Sequence, residues 1–212
     1  MLRLGCATAT AAVALVAVAG STVTRAAGVP TFADMPWGAS RAEVLEAAAA
    51  SGLTVVAHHG NDVELTGELF GTAASVKALL SPTSGLVKVQ VHFTSTDAPA
   101  RIYASVVQRL TSLYGPTEPV ELFKRPYMRG DGREDEALLS GKGMLIAAWG
   151  DEREPGQAAV IVHAGQPGVE LEYESHAWKA ESARRQRQDT PSRPALASAA
   201  PVSQFAGLSV GP

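Results

Sequence analysis

The chain reads as an α+β protein: a duplicated helix plus four antiparallel strands, with the helices on one face of the sheet. Three observations predict this. Apolar-striped helical segments occur twice, opening near Ser40 and near Asp97. Each is followed by four short runs of strand character. The clearest run alternates, with Val87, Val89, Val91 and Phe93 on one side and Lys88, Gln90 and His92 on the other, the pattern of an antiparallel strand with one wet face. Two arrangements satisfy the order: one eight-stranded sheet covered on a single side, or two four-stranded halves packed separately.

The first helix is signalled by Ser40-Arg41-Ala42-Glu43, a capping box in which a hydroxyl and a carboxylate satisfy free backbone donors. Val44, Leu45, Ala48 and Ala49 supply its apolar stripe, and Gly52 suits its left-handed end. Strand-like runs follow at 53–58, 62–69, 73–80 and 86–93. They are separated by His59-Gly60-Asn61, by Gly71 and by Ser81-Pro82-Thr83-Ser84-Gly85, all turn chemistry. The second helix opens at Thr96 or Asp97 with Pro99 in its first turn. Ile102, Val106, Leu110 and Leu113 form its buried stripe, and Tyr114-Gly115-Pro116 ends it. Four more runs are expected at 120–125, 144–149, 157–164 and 168–174. A long charged loop at 126–143 divides the first two, and its acidic run Arg133-Glu134-Asp135-Glu136 reads as mobile and solvated. Similarity between the halves, about 32–95 and 96–176, is one of element order, not of letters.

The entry to the first helix is Phe32-Ala33-Asp34-Met35-Pro36-Trp37-Gly38-Ala39-Ser40, followed by Glu43-Val44, and the second helix closes on Leu113-Tyr114-Gly115-Pro116. An aromatic, Trp-Gly, a capping Ser and a closing "L-x-G-P" resemble small exported bacterial proteins. The organisation from about Trp37 to Glu174 is similar to the β-lactamase-inhibitor-protein-like fold, a group that includes outer-membrane assembly lipoproteins of the SmpA/OmlA type. The resemblance implies a binding protein without catalysis.

Residues 1–27 read as a signal peptide and short leader. Arg3 precedes an uncharged stretch, Ala11 to Ala19 is continuously apolar, and Ala17-Val18-Ala19 offers a small-residue cleavage site. The expected location is periplasmic or secreted. Cys6, the only cysteine, would leave with the leader, so no disulfide is expected. Residues 28–176 carry 11 Lys+Arg against 19 Asp+Glu, a net charge of −8, and an acidic body disfavours nucleic acid as a partner. Residues 177–212 carry five Lys+Arg against two Asp+Glu. They read as a basic stretch able to form a short helix, then a Pro/Ala/Ser-rich disordered tail. Membrane contact is expected only through an uncleaved leader or this tail.

No catalytic motif is read in the body of the chain: residues 28–176 contain no G-x-S-x-G elbow and no cysteine. Five histidines (His58, His59, His92, His163, His176) lack metal-ligand spacing, although His92 and His163 can meet if both lie on the wet side of neighbouring strands. No cofactor is expected. The most informative pattern is acidic. Glu170, Glu172 and Glu174 share one side of the last strand, and Glu64 and Glu68 share one side of the second. Such a row suits an unidentified protein or envelope component of basic character, or a cation; the plainer reading is a solvated face kept from edge aggregation by charge. The sequence therefore favours a non-enzymatic binding or envelope-scaffolding module, with an exported hydrolase or metal-binding enzyme using surface histidines as the alternative.

Overall fold

A computed structural model describes residues 29–94, 97–150, 155–166 and 168–189. The expected leader at 1–27 and the Pro/Ala/Ser-rich stretch from 190 onward lie outside the described residues. Chain order is α1 (Arg41–Ala50), β1 (Thr54–His59), β2 (Asp62–Leu69), β3 (Thr72–Ser81), β4 (Gly85–Phe93), α2 (Pro99–Tyr114), β5 (Val120–Phe123), α3 (Glu134–Leu139), β6 (Gly143–Trp149), β7 (Gly156–Val162), β8 (Val169–Ser175) and α4 (Trp178–Asp189).

Local chemistry explains the helix starts. In α1 the Ser40 amide donates to Glu43 Oε2 at 2.7 Å and the Glu43 amide donates to Ser40 Oγ, so the box closes in both directions. Helix α2 has Pro99 in its first turn and no side-chain cap from its own N-terminal residue. Its Ala100 amide donates instead to Asp135 Oδ1 at 2.8 Å, so a residue of α3 satisfies it.

The expected duplication of a helix plus four strands is overturned. Among the described residues, eight strands form one antiparallel sheet in the order β1-β2-β3-β4-β8-β7-β6-β5, accompanied by four helices. The two groups of four are therefore not separate halves. They join at β4 and β8, where Val89 faces Tyr173, Val91 faces Leu171 and Phe93 faces Val169. The pairing works because both strands present apolar residues on the same side, giving a core that runs unbroken across the seam.

Nor do the helices keep to one face. Val44 and Ala48 of α1, Ile102, Val106 and Leu110 of α2, and Leu138 of α3 bury against the sheet's core side. Helix α4 docks on the opposite side. Its Trp178 ring covers Lys88, and Arg185 donates to both Asp62 oxygens at 2.6 and 2.9 Å and to the Leu80 carbonyl at 3.1 Å. Glu181 is 4% exposed and accepts from Arg184 and Arg185, each at 2.8 Å. The basic stretch that follows residue 176 thus begins as a helix tied down by ion pairs.

The loop expected to be mobile and solvated is also corrected, because α3 forms inside it. Glu134, Asp135 and Glu136 fall in the first turn, where the helix dipole favours negative charge, and Ala137 and Leu138 are fully buried. Tyr127 donates its hydroxyl to Glu136 Oε1 at 2.8 Å, and Arg133 pairs with the same carboxylate. At the end of α2, Leu113 leaves the expected stripe and is 38% exposed, while Tyr103, near its start, is buried.

Close backbone approach accounts for one glycine in particular. A Cβ on Gly85 would lie 2.1 Å from the Gly38 carbonyl oxygen, because the segment leading into α1 pairs with β4 through Gly38 N to Leu86 O and Leu86 N to Ala39 O. Trp149 is buried in the core and Trp37 is half-buried against it. The Trp149 indole donates to Gly115 O at 3.0 Å, and that of Trp37 to Pro30 O at 3.1 Å.

Candidate functional site: the open face of the sheet

Successive side chains in a strand point to opposite sides, so register alone assigns the outward set. One row crosses all eight strands: Val120, Ile146, Ile161, Glu170, His92, Ser75, Thr66 and Thr54. The adjacent row runs Ala148, Ala159, Glu172, Gln90, Lys77 and Glu64. The first row is apolar from β5 to β7 and the second over β6 and β7, and both are polar or charged from β8 to β2. Over the polar part lies a groove of about 530 Å³, lined by Val56, Glu64, Thr66, Lys77, Gln90, His92, Glu170 and Glu172 among others.

All five carboxylates singled out by sequence lie on this face, in different company. Glu170, Glu172 and Glu174 share central β8, while Glu64 and Glu68 share β2, with β3 and β4 between. Lys88 is 6% exposed and bridges Glu172 at 2.8 Å and Glu174 at 2.7 Å, beneath Trp178. Burial alone would raise the Glu172 carboxyl, but hydrogen bonds from Lys88 and Gln90 outweigh it and leave the group below its ordinary value. Glu64 is likewise held below its ordinary value, chiefly by the Lys77 hydrogen bond, with Nζ 3.1 Å away. Glu170 faces two imidazoles, His163 Nε2 at 3.4 Å and His92 Nδ1 at 4.0 Å. Glu68 is exposed and has no charged partner among the described residues.

His92 and His163 therefore do meet, across one carboxylate. Among the described residues, however, no group of three or more His, Cys, Asp or Glu side chains is arranged to hold a metal ion. His59 pairs with Glu64, and adjacent His58 points the other way along β1.

The residues that sequence reasoning missed are apolar. Val120 and Leu122 of β5 are 50% and 52% exposed, and Met144, Ile146, Ala148, Ala159 and Ile161 continue the patch without a charge among them. A signal existed. Residues 144–149 and 158–162 are unbroken apolar runs, without the alternation that marks a strand with one polar side.

Comparison of the chain with protein families, curated proteins and solved structures finds no match.

Proposed function

We propose that this chain is an exported, non-enzymatic binding or envelope-scaffolding protein that takes its partner on the open face of the sheet. The observation that carries the reading is the apolar patch on β5, β6 and β7. Helices α1, α2 and α3 lie on the other side, and α4 lies over the Lys88 end, so the patch has no covering element among the described residues. Contiguous apolar surface rimmed by polar groups marks an interaction site more often than a bare exterior. The leader-like residues 1–27 support export, and the Trp37-Gly38 and Leu113-Tyr114-Gly115-Pro116 resemblance supports binding without catalysis.

The test is a comparative capture from the native envelope, using the full chain and a variant carrying Ile146→Lys and Ile161→Lys. Both positions are outward and half-buried, so the circular dichroism spectrum should be unchanged. A partner retained by the natural chain and lost by the variant supports the proposal. Equal retention by both proteins overturns it.

A further inference from the structure

The apolar patch and the carboxylates meet along one line, the junction of β7 and β8. There Ile161 faces Glu170 and Ala159 faces Glu172. Building on the proposed function, we infer that the occupant of this face is a cationic amphipathic polypeptide segment. Its apolar side chains lie on Val120, Ile146 and Ile161, and its Lys or Arg side chains lie against Glu170 and the groove beyond.

Charge complementarity selects this occupant. Among the described residues the strands of this face carry six carboxylates, Asp62 included, and two ammonium groups, Lys77 and Lys88, while α4 lays Arg185 on Asp62. Lys88 is buried and shared by Glu172 and Glu174, and Lys77 is committed to Glu64. With histidines neutral, three negative charges are left over, and Glu170 holds its share at the edge of the apolar patch. Spacing selects it too. Neighbouring strands lie about 4.8 Å apart, so the patch from β5 to β7 spans roughly 10 Å and Glu170 lies one strand further. Apolar and cationic groups at that separation belong to one polypeptide segment. An inorganic cation or a polyamine has nothing to set on Ile146, and an anionic membrane surface would be repelled by the surplus carboxylates.

The experiment titrates the full chain with three short synthetic peptides by calorimetry, a Leu block followed by a Lys block (Leu/Lys), a Leu block by a Glu block (Leu/Glu) and a Ser block by a Lys block (Ser/Lys). The Leu/Lys peptide should bind, with the other two at least about tenfold weaker. Two variants separate this site from general attraction to an acidic protein. Val120→Ser with Ile161→Ser leaves charge unchanged, and Glu170→Gln leaves the patch unchanged; each should weaken Leu/Lys binding by about tenfold. Glu46→Gln, on exposed α1, should leave it unaltered. Absence of Leu/Lys binding, equal binding of either control peptide, or indifference to both face variants overturns the inference. A partner captured on this face that proves neutral or anionic would overturn it while leaving the proposed function standing.

Discussion

The ammonium of Lys88 lies 5.0 Å from the centroid of the Trp178 ring, on the side of the sheet away from the main core. One contact explains two properties of the face. A cation so little exposed is tolerable because Glu172 and Glu174 compensate it and the indole lies over it. Because α4 stops at this end, the apolar residues of β5, β6 and β7 are left uncovered.

Removing that cation should be costly for a stated reason. Lys88→Ala leaves Glu172 and Glu174 without their shared cation and, since both carboxylates are partly exposed, is expected to cost about 1–3 kcal/mol. Combining Lys88→Met with Glu172→Gln and Glu174→Gln removes the uncompensated charge and should recover most of the loss. Urea unfolding midpoints of the natural chain, the single variant and the triple variant make the comparison.

Acid should loosen α4. Hydrogen bonds from Arg184, then Arg185 and Ser81, outweigh burial and lower the Glu181 carboxyl from 4.5 to about 2. A carboxyl depressed in the folded state contributes stability that is complete above its unfolded value and is lost as pH falls through its folded value. The Glu181 contribution is therefore intact above about 4.5 and declines towards 2. Glu181→Gln should destabilise the protein at neutral pH and flatten this part of the stability–pH curve, measured by thermal unfolding from pH 6 to 2.

Gly156 should not tolerate a methyl group. A Cβ there would fall 2.3 Å from the Trp37 indole nitrogen and 2.7 Å from the Pro30 carbonyl oxygen, the two ends of one hydrogen bond. Gly156→Ala is expected to destabilise by about 1–3 kcal/mol. Indole fluorescence should shift as Trp37 leaves its partner.

Tyr103 presents the opposite case. Its hydroxyl is buried without a hydrogen-bond partner among the described residues, and burial, reinforced by Glu121 and opposed by Arg129, pushes its titration up to about 12. Tyr103→Phe removes an unsatisfied group and should be neutral or stabilising by up to about 1 kcal/mol. Spectrophotometric titration should lose a tyrosine ionising near 12. A large loss of stability would mean that the hydroxyl has a partner after all.

What was legible in the sequence was local. The capping box at Ser40 and Glu43 and the alternation of Val89, Gln90, Val91, His92 and Phe93 are set by near neighbours, and both appear in the fold. Helix α3 was illegible because six residues carry no usable period; it is held by burial of Ala137 and Leu138 and by Tyr127, contacts made across loops. The acidic side of β8 could be read from alternation, but its neutralisation could not. Pairing Lys88 with Glu174 requires knowing that β4 lies beside β8, and these residues are 86 positions apart. The apolar half of the face was visible only as missing alternation in β6 and β7, a pattern shared by strands buried on both sides.

On the proposed function, the partner sits on the open face of the sheet. A photo-reactive amino acid placed at Ile161 on the apolar patch, and separately at Gln108 on the exposed side of α2, tests it in cells expressing the full chain. A discrete adduct is expected from position 161 and none from position 108. An adduct from 108 with none from 161 would contradict that placement.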